Sequence, residues 1–231
     1  MTTNQPDQLR IYIIRHGETE WTVSGQHTGS TDIPLTLKGE ESVRRLGDQL
    51  RDVNFSHVFT SPMLRARQTC QLVGLAMQAG TDVDLREWNY GDFEGQTARQ
   101  IILARPDWNL FRDGAPNGEA PLEVSHRADR VIHRLRELQG NIAIFTHGHF
   151  GRCLGVRWIG LGVETATCFL LGTVSVSILG YQHNCADEPA IYLWNSTELE
   201  SKDLRAPVLM SMQQKALERW ENEGGEEAKT A

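Results

Sequence analysis

Four stretches of this chain carry side chains that can handle an anion. Arg15-His16-Gly17 ends an apolar, β-branched run that begins at Leu9, and Arg65 and Arg67 follow Ser61-Pro62. Glu87 stands beside Trp88 and Tyr90, and His147-Gly148-His149 ends a second apolar run over 141–146. Histidine can act as a covalent nucleophile or as a hydrogen-bond donor. Arginine offers a planar fork suited to phosphate. A carboxyl partly desolvated by aromatic rings, the setting expected for Glu87, rises toward general-acid range unless it simply pairs with an arginine. Arg65 and Arg67 gain nothing from the N-terminal end of a helix dipole, so they call for an anion or for solvent. Residues two apart on a helix diverge by about 200°, so only one of the two faces a sheet end.

Such residues need a scaffold that delivers them to one place. A continuous apolar run suits a strand covered on both faces, and in open α/β sheets ligands sit beyond the carboxyl ends of such strands. The runs at 9–14 and 141–146 fit, and 57–60 and 81–85 are shorter strand candidates. A helix is expected from Thr36, with Val43, Leu46, Leu50 and Val53 at helical spacing. Ser61 reads as an N-cap with Pro62 at the first helical position, opening a helix that continues through Leu72, Val73, Leu75 and Ala76. Val124, Ala128, Val131, Ile132, Leu135 and Leu138 mark an amphipathic helix ending at Gly140, and 150–161 reads as another. Strands at 173–181 and 190–194 complete the series. The polar stretch from Gly17 to Pro34 is long enough to be functional. Segment 96–120, with one short helix and a turn-rich 113–118, reads as an excursion that walls or caps a site.

The expected fold is therefore α/β, a three-layer α/β/α sandwich around a mostly parallel central sheet. It occupies residues 9–195, preceded by an extension at 1–8 and followed by a polar, acidic tail at 196–231. Within the tail, 209–222 is read as a peripheral helix and 223–231 as disordered. The chain has 231 residues, enough for one sizeable core. Its net charge of −7 and pI near 5.6 argue against a broad surface for nucleic acid, while leaving room for a small basic pocket. Cys70, Cys153, Cys168 and Cys185 lack Cys-x-x-Cys spacing and read as reduced core residues. The start has no basic stretch leading into an apolar one, and no apolar run is long enough for a bilayer. A soluble, cytoplasmic protein without nucleic-acid or membrane partners is expected; self-association into a homo-oligomer is left open.

The motifs together resemble a known family. Arg15-His16-Gly17-Glu18-Thr19-Glu20-Trp21, Thr28-Gly29, Ser61-Pro62 before Arg65-Ala66, Glu87 before Tyr90-Gly91, and His147-Gly148 follow the order of the histidine phosphatase or phosphoglycerate mutase superfamily. Residues 25–29, 85–91, Trp108-Asn109, Asp113-Gly114, 117–119 and 187–190 further resemble its fungal sedoheptulose-1,7-bisphosphatase branch. Thr22 departs from the pattern, since many members carry asparagine there. The resemblance favours Arg65 over Arg67 as the inward arginine. It also implies that Thr28, Gly29 and Tyr90 contact a small phosphorylated substrate and that Arg152 and His183 reach a distal group.

The chemistry also stands on its own terms. Phosphate monoesters need a positioned nucleophile, an acid for the leaving oxygen and cations around the equatorial oxygens. His16 is the expected nucleophile, kept neutral by a bond from its other ring nitrogen to a carbonyl or carboxylate. Glu87 is the expected acid and then base, while Arg15, Arg65 and His147 clamp the transferring group. No metal or cofactor is required. Three other readings compete. A phosphoglycerate mutase would use the same phosphohistidine, but the interval from Glu87 to His147 is short for that branch. His147-Gly148-His149 with a carboxylate could mark a metallophosphoesterase, although two histidines are too few. An inactive phospho-ligand binding module would have no need of the full set of catalytic types.

Overall fold

The computed structural model describes residues 9–200 and Asp203. Six strands, β1 (Arg10–Arg15), β2 (Phe55–Thr60), β3 (Ala79–Thr81), β4 (Asn141–Thr146), β5 (Val176–Tyr181) and β6 (Pro189–Ser196), form one sheet in the order β3-β2-β4-β1-β5-β6. The first four in that order run parallel, and β5 and β6 are antiparallel to their neighbours. The sheet is mostly parallel, as expected. The carboxyl ends of β1, β2, β3 and β4 therefore open on one side.

Side-chain alternation along β1 divides the core. Ile11 and Ile13 join a cluster with Val124, Ala128 and Leu154, whereas Tyr12 and Ile14 join Leu46, Leu50 and Cys70 on the opposite face. The first face is covered by α6 (Pro121–Arg136) and α7 (Gly148–Trp158), the second by α2 (Leu37–Leu50) and α3 (Leu64–Leu72). The inward residues assigned to α2 and α6 are buried, apart from Val53 and Leu138, which lie beyond the helix ends and are partly buried.

Several boundaries differ from the sequence reading. The loop after β1 holds a short helix, α1 (Glu20–Ser24), closed by a capping box in which Thr19 and Thr22 exchange side-chain and backbone bonds. Thr22, the departure from the family pattern, thus caps a helix. Ser61 is not the N-cap of α3. Met63 holds that place, because Ser61 is drawn to β4, its N–H donating to Phe145 O at 2.9 Å and its hydroxyl meeting His147. Helix α3 stops at Leu72, and Gly74 follows at φ +91°. The strand expected at 81–85 is β3 at 79–81 instead. Asp82 then accepts from Asp84 N at 2.9 Å and turns the chain into a 3-10 turn, Val83–Leu85. Helix α7 begins at Gly148, so the loop expected at 147–149 is one residue long. Segment 96–120 contains two short helices, α4 (Ala98–Ala104) and α5 (Leu110–Asp113), and buries Ile101, Leu110 and Phe111 in the core. Of the cysteines, Cys70 and Cys153 are buried, and burial pushes the Cys70 thiol up to about 12. Cys168 is exposed and Cys185 half-buried, so only two of the four are core residues; all four are free. The peripheral helix read at 209–222 and the disorder read at 223–231 lie outside the described residues. No helix among the described residues is long and apolar enough to cross a membrane.

Candidate active site

His16 leaves β1 into the space beyond the sheet and is 3% exposed. Its backbone N–H donates to Thr146 O of β4 at 3.1 Å, which fixes where the ring departs. Ring Nδ1 lies 2.8 Å from Gly17 O; a carbonyl can only accept, so Nδ1 carries the proton and Nε2 the lone pair. Burial, with Arg65 and Arg15 nearby, holds the ring well below its ordinary pKa of 6.5. At neutral pH His16 is thus a neutral imidazole of defined tautomer, the state expected of a nucleophile.

Two arginines flank it. Arg65 is fully buried, with Nη1 donating to Thr31 O at 3.0 Å and Nη2 to Thr28 O and Gly29 O at 2.9 and 3.0 Å. The same loop turns its N–H groups the other way, to Glu94, through Gly29 at 2.9 Å and Thr31 at 3.0 Å. Glu94 and Arg65 therefore grip residues 28–31 from opposite sides. Arg15 donates from Nη1 to Leu171 O and packs against Gly148, where an added Cβ would meet its Cζ at 3.1 Å. Burial lowers both guanidinium pKa values. The Nε of each arginine is buried without a hydrogen-bond partner among the described residues. Buried donors are rarely left unpaired, and those beside a nucleophile describe a seat for an anion. Arg67 is exposed, so only one of the two arginines faces the sheet end, and it is the one the resemblance favours.

His147, the N-cap of α7, is fully buried; its ring centroid lies 5.2 Å from that of His16 and its Nε2 2.7 Å from Ser61 Oγ. Burial and Arg65 hold it, too, well below 6.5. Glu87 follows the 3-10 turn after β3 and reaches the start of α7. Its carboxyl oxygens accept from Trp88 N at 3.0 Å, His149 N at 3.1 Å and Phe150 N at 2.8 Å. The aromatic neighbours expected around Glu87 are present in sequence, but backbone donors at a helix N-terminus are what hold it. The segment carrying Glu87 is pinned from behind by Arg127, whose guanidinium binds Glu119 bidentately at 2.9 and 2.8 Å and donates to Asp84 O, Arg86 O and Glu87 O. Charge bookkeeping at the pocket floor gives two guanidinium groups and one carboxyl against neutral histidines. That excess suits an entering phosphate.

Arg15, His16, Thr28, Glu87, Tyr90 and Arg152 line one cavity of about 270 Å³. Arg65 and His147 do not line it; His147 meets the His16 ring edge-on, and Arg65 is near enough to lower the His16 pKa. Arg152 is turned by its own bonds, from Nε and Nη2 to Ala166 O and from Nη2 to Thr167 O at 3.0 Å, and stacks 4.4 Å over Phe111. Gly29 lies behind the wall, in a neighbouring cavity, where an added Cβ would come within 2.6 Å of Trp88 O. His183 stands at the β5–β6 turn at φ +56°, pairs with Glu188 at 3.0 Å and does not line this cavity. Sequence reasoning passed over His27, His149 and Ser61 as site residues. In sequence the Ser61 hydroxyl has the look of a cap and His149 that of a metal ligand; the third residue of His147-Gly148-His149 is the available signal. Among the described residues no group of three or more His, Cys, Asp or Glu side chains is placed to hold a metal ion.

A family profile described as histidine phosphatase superfamily (branch 1) matches residues 11–197. Sedoheptulose 1,7-bisphosphatase of Saccharomyces cerevisiae is 35% identical, over 80% of this chain and 92% of the yeast protein. An acid phosphatase of Mycobacterium tuberculosis is also 35% identical, over 75% of this chain and 87% of its own length. The solved α-ribazole phosphatase of Shigella flexneri superposes with a TM-score of 0.72 at 30% identity, covering 83% of this chain and 98% of that one.

Proposed function

The chain belongs to the histidine phosphatase superfamily, and on that premise we propose that it hydrolyses a small phosphorylated metabolite, a sugar phosphate or sugar bisphosphate such as sedoheptulose 1,7-bisphosphate, through a phosphohistidine. The observation that carries the reading is the buried His16 with Nδ1 held 2.8 Å from Gly17 O, beside two arginines whose Nε groups have no hydrogen-bond partner among the described residues. Nε2 attacks phosphorus as the ester P–O bond breaks, and Glu87 gives the departing alkoxide its proton. Water then attacks the same phosphorus, passes a proton to the Glu87 carboxylate, and the P–N bond breaks to release inorganic phosphate. Arg15 and Arg65 neutralise the equatorial oxygens through both steps, and the neutral His147 donates a hydrogen bond to one of them. Thr28, Tyr90 and Arg152 border the space for the leaving group, with Gly29 setting the loop behind them. Arg152 is the cavity residue suited to a second phosphate; His183 would have to reach in from the β5–β6 turn. A cytoplasmic location belongs to the same reading.

A screen of sugar mono- and bisphosphates tests it. The expected result is release of inorganic phosphate, without isomerisation of phosphoglycerate, and a higher kcat/KM when a second phosphate is present. Equal kcat/KM with and without the second phosphate removes the bisphosphate reading, and isomerisation without hydrolysis replaces the phosphatase with a mutase.

A further inference from the structure

One wall of the cavity is a pair of imidazoles to which the chemistry above assigns no role. His149 and His27 both line it, with ring centroids 5.8 Å apart and planes within 7° of parallel. Phe111 packs edge-on against His149 at 5.4 Å, and Tyr90 meets both rings, at 5.7 and 4.8 Å. The protons on these rings can be assigned from their partners. Tyr90 Oη lies 2.5 Å from His149 Nδ1. Burial pushes the Tyr90 phenol well above its ordinary value and, with Arg152 and His27, holds His149 well below 6.5. Tyr90 Oη has no other hydrogen-bond partner among the described residues, so its proton goes to Nδ1 of a neutral imidazole, which places the His149 proton on Nε2. On His27, Nδ1 donates to Gln96 O at 2.8 Å, so with the single proton of that tautomer on Nδ1 the lone pair is on Nε2. Neither Nε2 has a hydrogen-bond partner among the described residues.

We propose that His149 is a specificity-determining residue, donating from Nε2 to a hydroxyl oxygen of a polyol leaving group, with His27 Nε2 accepting a hydroxyl proton on the facing ring. A donor and an acceptor on parallel rings fit a sugar, whose hydroxyls are both, and give nothing to an alcohol without further hydroxyls. A site built to hydrogen-bond a hydroxyl discriminates through the polar group left unpaired by the wrong ligand. The inference rests on the reading of the cavity as a sugar phosphate site and assigns the selectivity to one side chain.

The test compares kcat/KM for the best sugar phosphate with that for p-nitrophenyl phosphate in wild type, His149→Phe and His149→Gln. The wild type is expected to prefer the sugar phosphate. His149→Phe lowers the ratio of the two values tenfold or more, and His149→Gln, whose amide nitrogen is the same number of bonds from Cα as Nε2, retains most of it. Equal losses on both substrates leave the ratio unchanged and overturn the inference in favour of a structural role, as does an unchanged sugar phosphate rate. A wild type with no preference for sugar phosphates contradicts the substrate reading itself and removes the inference with it. Thermal melts of the three proteins separate a folding defect from each of these outcomes.

Discussion

Acidification should destabilise this fold through the two histidines at the floor of its site. His16 and His147 are 3% and 0% exposed, and burial together with Arg15 and Arg65 holds both well below 6.5. In the unfolded chain both take up protons as pH falls through about 6.5; in the folded chain they do not. The unfolded state then binds more protons, so stability is lost as pH falls. From pH 7 to 5.5 each group contributes a loss of about 1.3 kcal/mol, or about 2.5 kcal/mol for the pair. Urea unfolding in phosphate-free buffer measures this, since a bound anion would stabilise the fold by mass action. Subtracting the same series for the His16→Asn/His147→Asn double variant cancels the carboxylates common to both proteins. The difference should shrink by about 2.5 kcal/mol between pH 7 and 5.5. A constant difference would mean that the histidines titrate in the fold as they do in water, and the neutral nucleophile would lose its physical basis. By the same shift, the acidic limb of kcat/KM set by His16 lies well below 6.5.

Glu87→Gln should lower turnover of alkyl phosphates by about 10²-fold or more while leaving orthovanadate affinity within about threefold, as measured by steady-state kinetics and inhibition. Unchanged turnover would take the acid role from Glu87. Arg127→Met leaves Glu119 without its bidentate partner and three backbone carbonyls without donors. Its expected cost is about 3–5 kcal/mol in urea unfolding, with kcat falling more than KM rises because Glu87 loses its backing. A chelator should leave phosphatase activity unchanged; loss of activity restored by one divalent cation would favour the metal-dependent reading.

The candidate set was legible as a cluster because each member ends or follows one of the four parallel strands of the sheet. Arg15-His16 and His147 could be placed from apolar runs alone, and β4 spans the residues read for it. The choice of Arg65 over Arg67 followed from helical geometry with the family pattern, and the burial of one and exposure of the other agree with it. What local signals missed was set by distant partners. Ser61 has the composition of an N-cap, but Phe145 and His147, far along the chain, take its polar groups. Glu87 looked like a carboxyl among aromatic rings, and it is held instead by the first N–H groups of a helix whose start sequence could not place beside it. The tautomer of His149 depends on Tyr90, fifty-nine positions away, and no periodicity carries that contact.

Hydrolysis by this route requires His16 Nε2 to take the phosphoryl group. Rapid acid-free quenching of wild type with an excess of substrate, followed by intact mass and peptide mapping, reads this directly. One added phosphoryl group is expected on His16, labile to acid and stable to base, absent from His16→Ala and accumulating in Glu87→Gln. Turnover by His16→Ala at the wild-type rate, or a phosphoryl group mapped to any other residue, would contradict it.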